Sequence, residues 1–349
     1  MRLKYFHPLA LTSTLALAPC AALAEVPMVL TDIPAVASLT AKVMGDLGTP
    51  EALLQPGSDE HHYQLRPTQA RALQEADLLI WIGPELTPWL IPAAEGKEST
   101  SVLGLLQAEG TILRAYDDAH DHEDHDDHAA HGEHEGHDDH AAHDEHEGHD
   151  DHAAHDDHEG HDDHEAHDDH EGHVHEGTDP HAWLDPENAI IWVDVIAQRL
   201  AEQDPENAAT YRANAQTAQA ELTALLAELR ETIAPVQDQP FITGHDAYGY
   251  LQARFSLNIL GSILMGDASS GGAGHPRELL AMMKEEGAVC IFPETQQDAK
   301  PAMLLAEGSD VRVGEAIDPA GNAFDGGRDL YETLMRDIIG KIAACLKGA

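Results

Sequence analysis

Sixty residues near the middle of this chain cannot help to build a hydrophobic core. Between Asp117 and Glu176 there are 26 acidic residues and no Lys or Arg. Apart from short alanines and Val174, the stretch carries no apolar side chain. It is also a repeat: HDDHAAHGEHEG begins at His125, HDDHAAHDEHEG at His137, HDDHAAHDDHEG at His149 and HDDHEAHDDHEG at His161. Inside this period, from His122 to His173, a histidine falls at every third position. A spacing of three drifts by about 60° per step around an α-helix, so it builds no single face. With nothing to bury, the segment cannot offset chain entropy and is expected to stay disordered without metal. Whatever folds must come from the residues on either side.

The composition of the tract points to metal rather than to a plain solvated linker, because acidity alone needs no histidine every third residue. Its sites are expected to be many, exchangeable and weak, since each must order the chain. Imidazole suits zinc, copper and nickel alike, so the tract does not choose the ion. The same segment dominates the formal net charge of −45. Such a charge argues against nucleic acid and anionic membrane as partners.

Outside the tract, strand and helix patterns alternate. Strands are read at Met28–Thr31, Ala52–Leu54, Leu78–Ile82 and Thr111–Tyr116 in the first half. A helix carries Val36, Leu39 and Val43, another covers Thr68–Ala76, and Asp185-Pro186 opens a third with Asp as N-cap and Pro in the first turn. An alanine-rich helical pattern from Pro205 to Ile233 contains no Gly and would span roughly 40 Å. The second half repeats the alternation, with strands at Phe241–Thr243, Ile259–Met265, Val289–Phe292 and Val311–Val313 and a last helix from Asp329 to Leu346. The predicted fold is α/β: two lobes, each a parallel sheet covered by helices, joined by one long rigid helix. The boundaries that follow are an N-terminal lobe at 25–204 with the insert at about 117–176, a linking helix at 205–235 and a C-terminal lobe at 236–349.

Residues 1–24 read as a secretory signal. Arg2 and Lys4 precede the short apolar run Leu9–Ala18, and Ala22-Leu23-Ala24 offers a cleavage site before Glu25. No stretch reaches the roughly 20 apolar residues of a spanning helix. The mature chain is therefore expected to be exported and soluble. Lipid attachment at Cys20 is the alternative, and Pro19 fits it poorly. Cleavage leaves Cys290 and Cys345, and in an oxidising compartment such a pair favours a disulfide over two free thiols.

In open α/β sheets, ligands bind beyond the carboxyl ends of the strands. Three histidine motifs lie there: His61 and His62 in GSDEHHYQLRP, His181 in TDPHAWLDPENA and His245 in FITGHDAYGY. Three imidazoles with a carboxylate or water as fourth donor would suit tetrahedral zinc. A zinc hydrolase is the enzyme reading of the same set, with Glu60 beside an open position. It lacks support from any HExxH or nucleophile-elbow motif.

EHHYQLRP, TDPHAWLDP and GHDAYGY, in this order around a His-rich acidic insert, resemble the zinc-specific solute-binding proteins of bacterial ABC importers. The likeness extends to the GPEL turn at Gly83–Leu86, the IDPAG segment at Ile317–Gly321 and the two cysteines. It implies zinc held between two lobes by His61, His181 and His245, and a non-enzymatic role: capture in the periplasm and delivery to an inner-membrane permease with its cytoplasmic ATPase. It also implies a Cys290–Cys345 disulfide. Glu60 matches the acidic residue before the first histidine and is the candidate fourth ligand, with Asp318, water or a tract histidine left open. His62 stands where relatives often carry Asp, as an alternate ligand or a supporting neighbour. Asp246 is a candidate acceptor for His245. A monomer is expected, and a manganese or iron importer subunit or a periplasmic zinc buffer are the alternative functions.

Overall fold

Short apolar strands set between helix-forming stretches fold into two four-stranded parallel sheets. In this computed structural model, residues 26–115, 177–265, 272 and 274–348 are described. The leader read at 1–24 and the His-rich insert read at 117–176 lie outside the described residues.

The first sheet is laid down as β1 (Val29–Thr31), α1 (Pro34–Met44), β2 (Glu51–Ala52), α2 (Pro67–Glu75), β3 (Leu78–Trp81), α3 (Ile91–Glu95) and β4 (Val102–Gly104). Its strand order is β2-β1-β3-β4, with every pair parallel. Two helices follow, α4 (Pro186–Gln203) and α5 (Ala208–Ile233). The second sheet is laid down as β5 (Phe241–His245), α6 (Gly249–Phe255), β6 (Ile259–Leu264), α7 (His275–Glu285), β7 (Cys290–Ile291), α8 (Lys300–Glu307) and β8 (Arg312–Val313). Helix α9 (Leu330–Lys347) closes the chain. The second sheet repeats the order of the first, β6-β5-β7-β8.

Both faces of each sheet are covered, as parallel sheets require. Leu30, Leu79 and Trp81 face an outer cluster, while Val29, Leu78 and Ile80 face inward. In the second sheet Ile242 and Ile291 point outward, and Phe241 and Phe292 inward. The two inward faces share one continuous core with α1, α4, α5 and α9. Helix α5 presents Tyr211, Ala215, Ala218, Leu222, Leu225, Leu229 and Ile233 to it, a stripe at helical spacing. Its 26 residues span about 39 Å. The long helix is the strut the sequence predicts. It begins three residues later than expected because Asp204 first closes a turn, accepting from the Asn207 side chain (2.7 Å) and the Tyr211 hydroxyl (2.8 Å).

Lys42 of α1 pins the junction. Its buried ammonium meets Glu221 of α5 at 2.7 Å and Glu332 of α9 at 2.5 Å. Burial pushes its pKa down, and the two carboxylates more than offset that, so the net shift is upward. Gly45 ends α1 at φ 59°, and any Cβ there would meet the Asn214 amide of α5 at 2.5 Å. The disulfide joins Cys290 of β7 to Cys345 of α9. Closing 55 residues of chain contributes about 4 kcal/mol in the chain-entropy picture.

One expected strand is absent. The segment from Thr111 to Ala115 forms only an isolated antiparallel bridge, Ala115 to Thr178, and Tyr116 lies outside the described residues. The fourth strand is instead Val102–Gly104, beside β3. Ile112 and Leu113 stay 38% and 52% exposed, so their apolar run never finds a neighbour to cover it. The Asn188 side chain takes the place of a strand, accepting from Ile112 N–H (2.8 Å) and donating to its carbonyl (3.0 Å). Among the described residues no helix is long and apolar enough to cross a membrane.

Candidate metal centre

Each of the three histidines is delivered by a segment that its own neighbours hold. His61 sits in the connection from β2 to α2. Asp59 accepts from the backbone N–H of His61 (2.8 Å) and His62 (3.2 Å), the Asx turn that Asp favours. Trp89 donates its indole N–H to the Glu60 carbonyl (2.8 Å). Trp89 is half-buried and supports this loop. Gln69 ties the loop ends together, donating to the Leu53 carbonyl (2.6 Å) and accepting from Arg66 N–H (2.9 Å).

His181 precedes a short 3-10 turn, Ala182–Leu184, which leads into α4. Asp185 caps that helix as the sequence predicts, accepting from Glu187 N–H (2.9 Å). His245 is the last residue of β5, the central strand flanked by β6 and β7. That is the topological switch point, where open α/β sheets place their ligands.

The three rings converge. The Nε2 atom of His181 lies 3.4 Å from Nε2 of His61 and 3.4 Å from Nε2 of His245. One ligand atom from each ring falls within 4.8 Å of the others. Their exposures are 8%, 0% and 2% for His61, His181 and His245, so the cluster is shielded from bulk water. Two rings are oriented from behind by carboxylates. His181 Nδ1 meets Asp179 at 2.8 Å, and His245 Nδ1 meets Glu294 at 2.7 Å. A proton held on Nδ1 in this way leaves the Nε2 lone pair for a metal. Glu294 is itself fixed by the Tyr248 hydroxyl (2.9 Å) and the Gln297 amide (3.0 Å).

Burial pushes the His245 ring toward lower pKa, but the carboxylates of Glu294, Glu60 and Asp246 outweigh it and raise the ring to about 9. Glu60 is 5% exposed. Burial pushes its carboxyl up to about 7, against the pull of His245. A small pocket of about 10 Å³ opens beside Glu60, His61 and His245. That is room for about one water.

The expected site residues divide as follows. His61, His181 and His245 are brought together. Glu60 lines the same pocket but stands outside the three-imidazole cluster. His62 points away, with its side chain 71% exposed and Nδ1 3.7 Å from Asp59. Asp318 is engaged by its own loop: one oxygen accepts from Gly321 N–H (3.0 Å) and Gln296 (2.9 Å), the other from Ala323 N–H (2.6 Å). The carboxylate hydrogen-bonded to His245 is Glu294 rather than Asp246, which acts on the ring through its charge.

Sequence reasoning missed Asp179 and Glu294. Asp179 carries a signal, standing two residues before a histidine where an Asx turn can form. Glu294 lies three residues past β7, the strand beside the one that ends in His245. Gly244 explains the small residue next to His245: a Cβ there would sit 2.8 Å from Glu294 Cγ and 3.0 Å from Cδ. Gly244→Ala should push Glu294 off the imidazole and lower zinc affinity about 10–100-fold, the usual effect of losing an orienting partner. A chelator competition titration checks this, and unchanged affinity would show that Glu294 does not orient His245.

A zinc–nitrogen bond of about 2.0–2.1 Å places tetrahedral ligand atoms about 3.3–3.4 Å apart. The Nε2 spacings match that edge. A family model described as "ZnuA: Zinc-uptake complex component A periplasmic" matches residues 29–345. The chain is 50% identical over 339 residues to the high-affinity zinc uptake system protein ZnuA of Paracoccus denitrificans, covering 97% of both chains. It is 36% identical over 315 residues to the protein of that name from Brucella abortus, covering 88% of both. A crystal structure of a zinc-bound ZnuA deletion mutant superposes with a TM-score of 0.66 at 23% identity, covering 92% of this chain and 98% of that one. With two parallel sheets, three histidines at their ligand-binding ends and a family match over nearly its whole length, the chain belongs to the ZnuA family of periplasmic zinc-uptake components.

Proposed function

We propose that the protein captures zinc in the periplasm at His61, His181 and His245 and delivers it to the permease of an ABC importer. The observation that carries this reading is the pair of 3.4 Å Nε2 separations. Glu60 or a water completes the shell. Asp318 is the weaker candidate, since it accepts three hydrogen bonds from Gln296 and its own loop. Manganese or iron would favour more carboxylate oxygen than three imidazoles supply. A hydrolase would need space for a substrate beside the ion, and the pocket here is about 10 Å³. Residues 117–176 gather further, weaker zinc through their 20 imidazoles, raising the local supply near the tight site.

The test is a zinc titration of the mature protein and of a version lacking residues 120–175. Both should bind one tight ion, and only the intact protein should bind the weaker ones. At a thousandfold excess over Kd, zinc should stabilise the fold by about 4 kcal/mol. A melting temperature that zinc leaves unmoved at neutral pH overturns the capture reading. Delivery is checked by zinc uptake into vesicles carrying the importer, which a simple buffer would not stimulate.

A further inference from the structure

The turn that carries His181 enters the first sheet's lobe through α4, yet much of its hydrogen bonding goes to the other lobe. The Trp183 indole donates to the Pro319 carbonyl (2.8 Å), and the Tyr331 hydroxyl of α9 donates to the Trp183 carbonyl (2.8 Å). Two further contacts come from α6. The Tyr250 hydroxyl donates to the Asp179 carbonyl (3.0 Å) while accepting from Arg114 N–H (2.9 Å). It thus sits between the two strands of chain that meet at the Ala115–Thr178 bridge. Arg254 grips Asp185 with two parallel bonds, Nε at 2.6 Å and Nη2 at 2.7 Å, and reaches Glu187 at 3.6 Å. Asp185 is nearly buried and Arg254 one-fifth exposed, so this is not a loose surface pair.

Helix α6 begins four residues after His245 and is continuous with the strand that ends in that histidine. Tyr250 and Arg254 are four apart and so share one helical face. Tyr248, just ahead of them, holds Glu294 behind His245. One short helix and its entry turn therefore touch the acid that orients His245, the backbone of the acid that orients His181, and the cap that ends the His181 turn.

We propose that Tyr250 and Arg254 are positioning residues for metal capture, clamping the Asp179–Asp185 turn onto α6 so that His181 and His245 form a fixed two-imidazole half-site. The inference rests on the reading of His61, His181 and His245 as the zinc ligands. None of the clamping bonds passes through a ligand nitrogen, so the half-site geometry is set by the protein itself. Preorganisation of this kind raises affinity by removing the ordering cost from the binding step.

The experiment compares Tyr250→Phe, Arg254→Lys and Arg254→Gln with the unchanged protein, each alone and combined with His61→Ala. Zinc affinity is read by chelator competition, and site geometry by the visible absorption of bound cobalt(II). Each of Tyr250→Phe and Arg254→Gln should weaken zinc about 10–100-fold and alter the cobalt spectrum. Arg254→Lys should recover part of the loss, since it keeps the charge but not the two-pronged grip. The same fold-loss should persist with His61→Ala, because the clamp acts on the two remaining imidazoles. Unchanged affinity in folded variants overturns the clamp, as does a loss that vanishes with His61→Ala or leaves the cobalt spectrum untouched. Tyr250→Phe removes one oxygen and decides the matter alone should the Arg254 variants fail to fold. Full affinity in His61→Ala, His181→Ala and His245→Ala would instead overturn the ligand assignment beneath it.

Discussion

Replacing His61, His181 or His245 with alanine should lower zinc affinity by more than a hundredfold. Loss of a group that only orients a ligand costs about 10–100-fold, so loss of the ligand itself must exceed that. The three replacements should differ in their effect on the metal-free fold. His181 and His245 each face a buried carboxylate, Asp179 at 3% exposure and Glu294 at 4%. Removing either ring costs that acid one charge-assisted hydrogen bond, about 1.5–3 kcal/mol, while Asp179 keeps the backbone N–H at position 181 and Glu294 keeps Tyr248 and Gln297. His61 lies in a loop on the pocket rim, and its loss should hardly move the metal-free melting temperature. Glu60→Gln should change affinity less than tenfold, because water can take the fourth position. Competition against a chromophoric chelator, alongside thermal melts, measures both quantities. Any histidine variant that kept full affinity would strike that residue from the ligand set.

The second large effect is on pH. His245 is raised to about 9, so the folded, metal-free protein keeps this ring protonated at neutral pH. Zinc must displace that proton to reach Nε2. One displaced proton makes affinity fall about tenfold for each pH unit below 9, or about a hundredfold between pH 8.5 and 6.5. The metal-free fold behaves in the opposite sense. A histidine whose folded pKa is raised contributes stability that is complete below about 6.5 and is lost as pH rises through about 9. Zinc-bound protein should therefore gain stability over the range in which His245 withdraws support from the metal-free form. Calorimetric titration at pH 7.5 in buffers of different ionisation enthalpy should report about one proton released per tight zinc. Release of none would place His245 outside the coordination shell or its pKa near the ordinary value.

Strand and helix patterns put the three histidines near the sheets' carboxyl edges, but spacing alone did not single them out as ligands; the resemblance of EHHYQLRP, TDPHAWLDP and GHDAYGY to the zinc-specific solute-binding proteins did. The supporting acids were not legible. Asp179 and Glu294 look like ordinary polar loop residues, and only the folded chain puts each within 2.8 Å of an imidazole. Val102–Gly104 was missed as a strand because three residues carry no alternation, whereas the apolar pair Ile112-Leu113 looked like a strand and stayed exposed. The two-lobe architecture followed from alternating patterns. What those patterns could not reveal is that α1 and α9, from opposite ends of the chain, meet α5 around one buried ammonium. Such pairing depends on long-range packing, which local spacing does not encode.

The close spacing of the three imidazoles bears on which ions such a site would hold. Magnesium gives up its hydration shell reluctantly and prefers six oxygens, and calcium takes six to eight. Nitrogen lone pairs held 3.4 Å apart offer a hard cation poor exchange for the oxygens it would shed. Both ions are therefore expected to compete poorly for the three imidazoles even in large excess over zinc. Rejection of the abundant divalent cations thus needs no gate and no dedicated repulsive group. It follows from asking every arriving ion to undress before it enters.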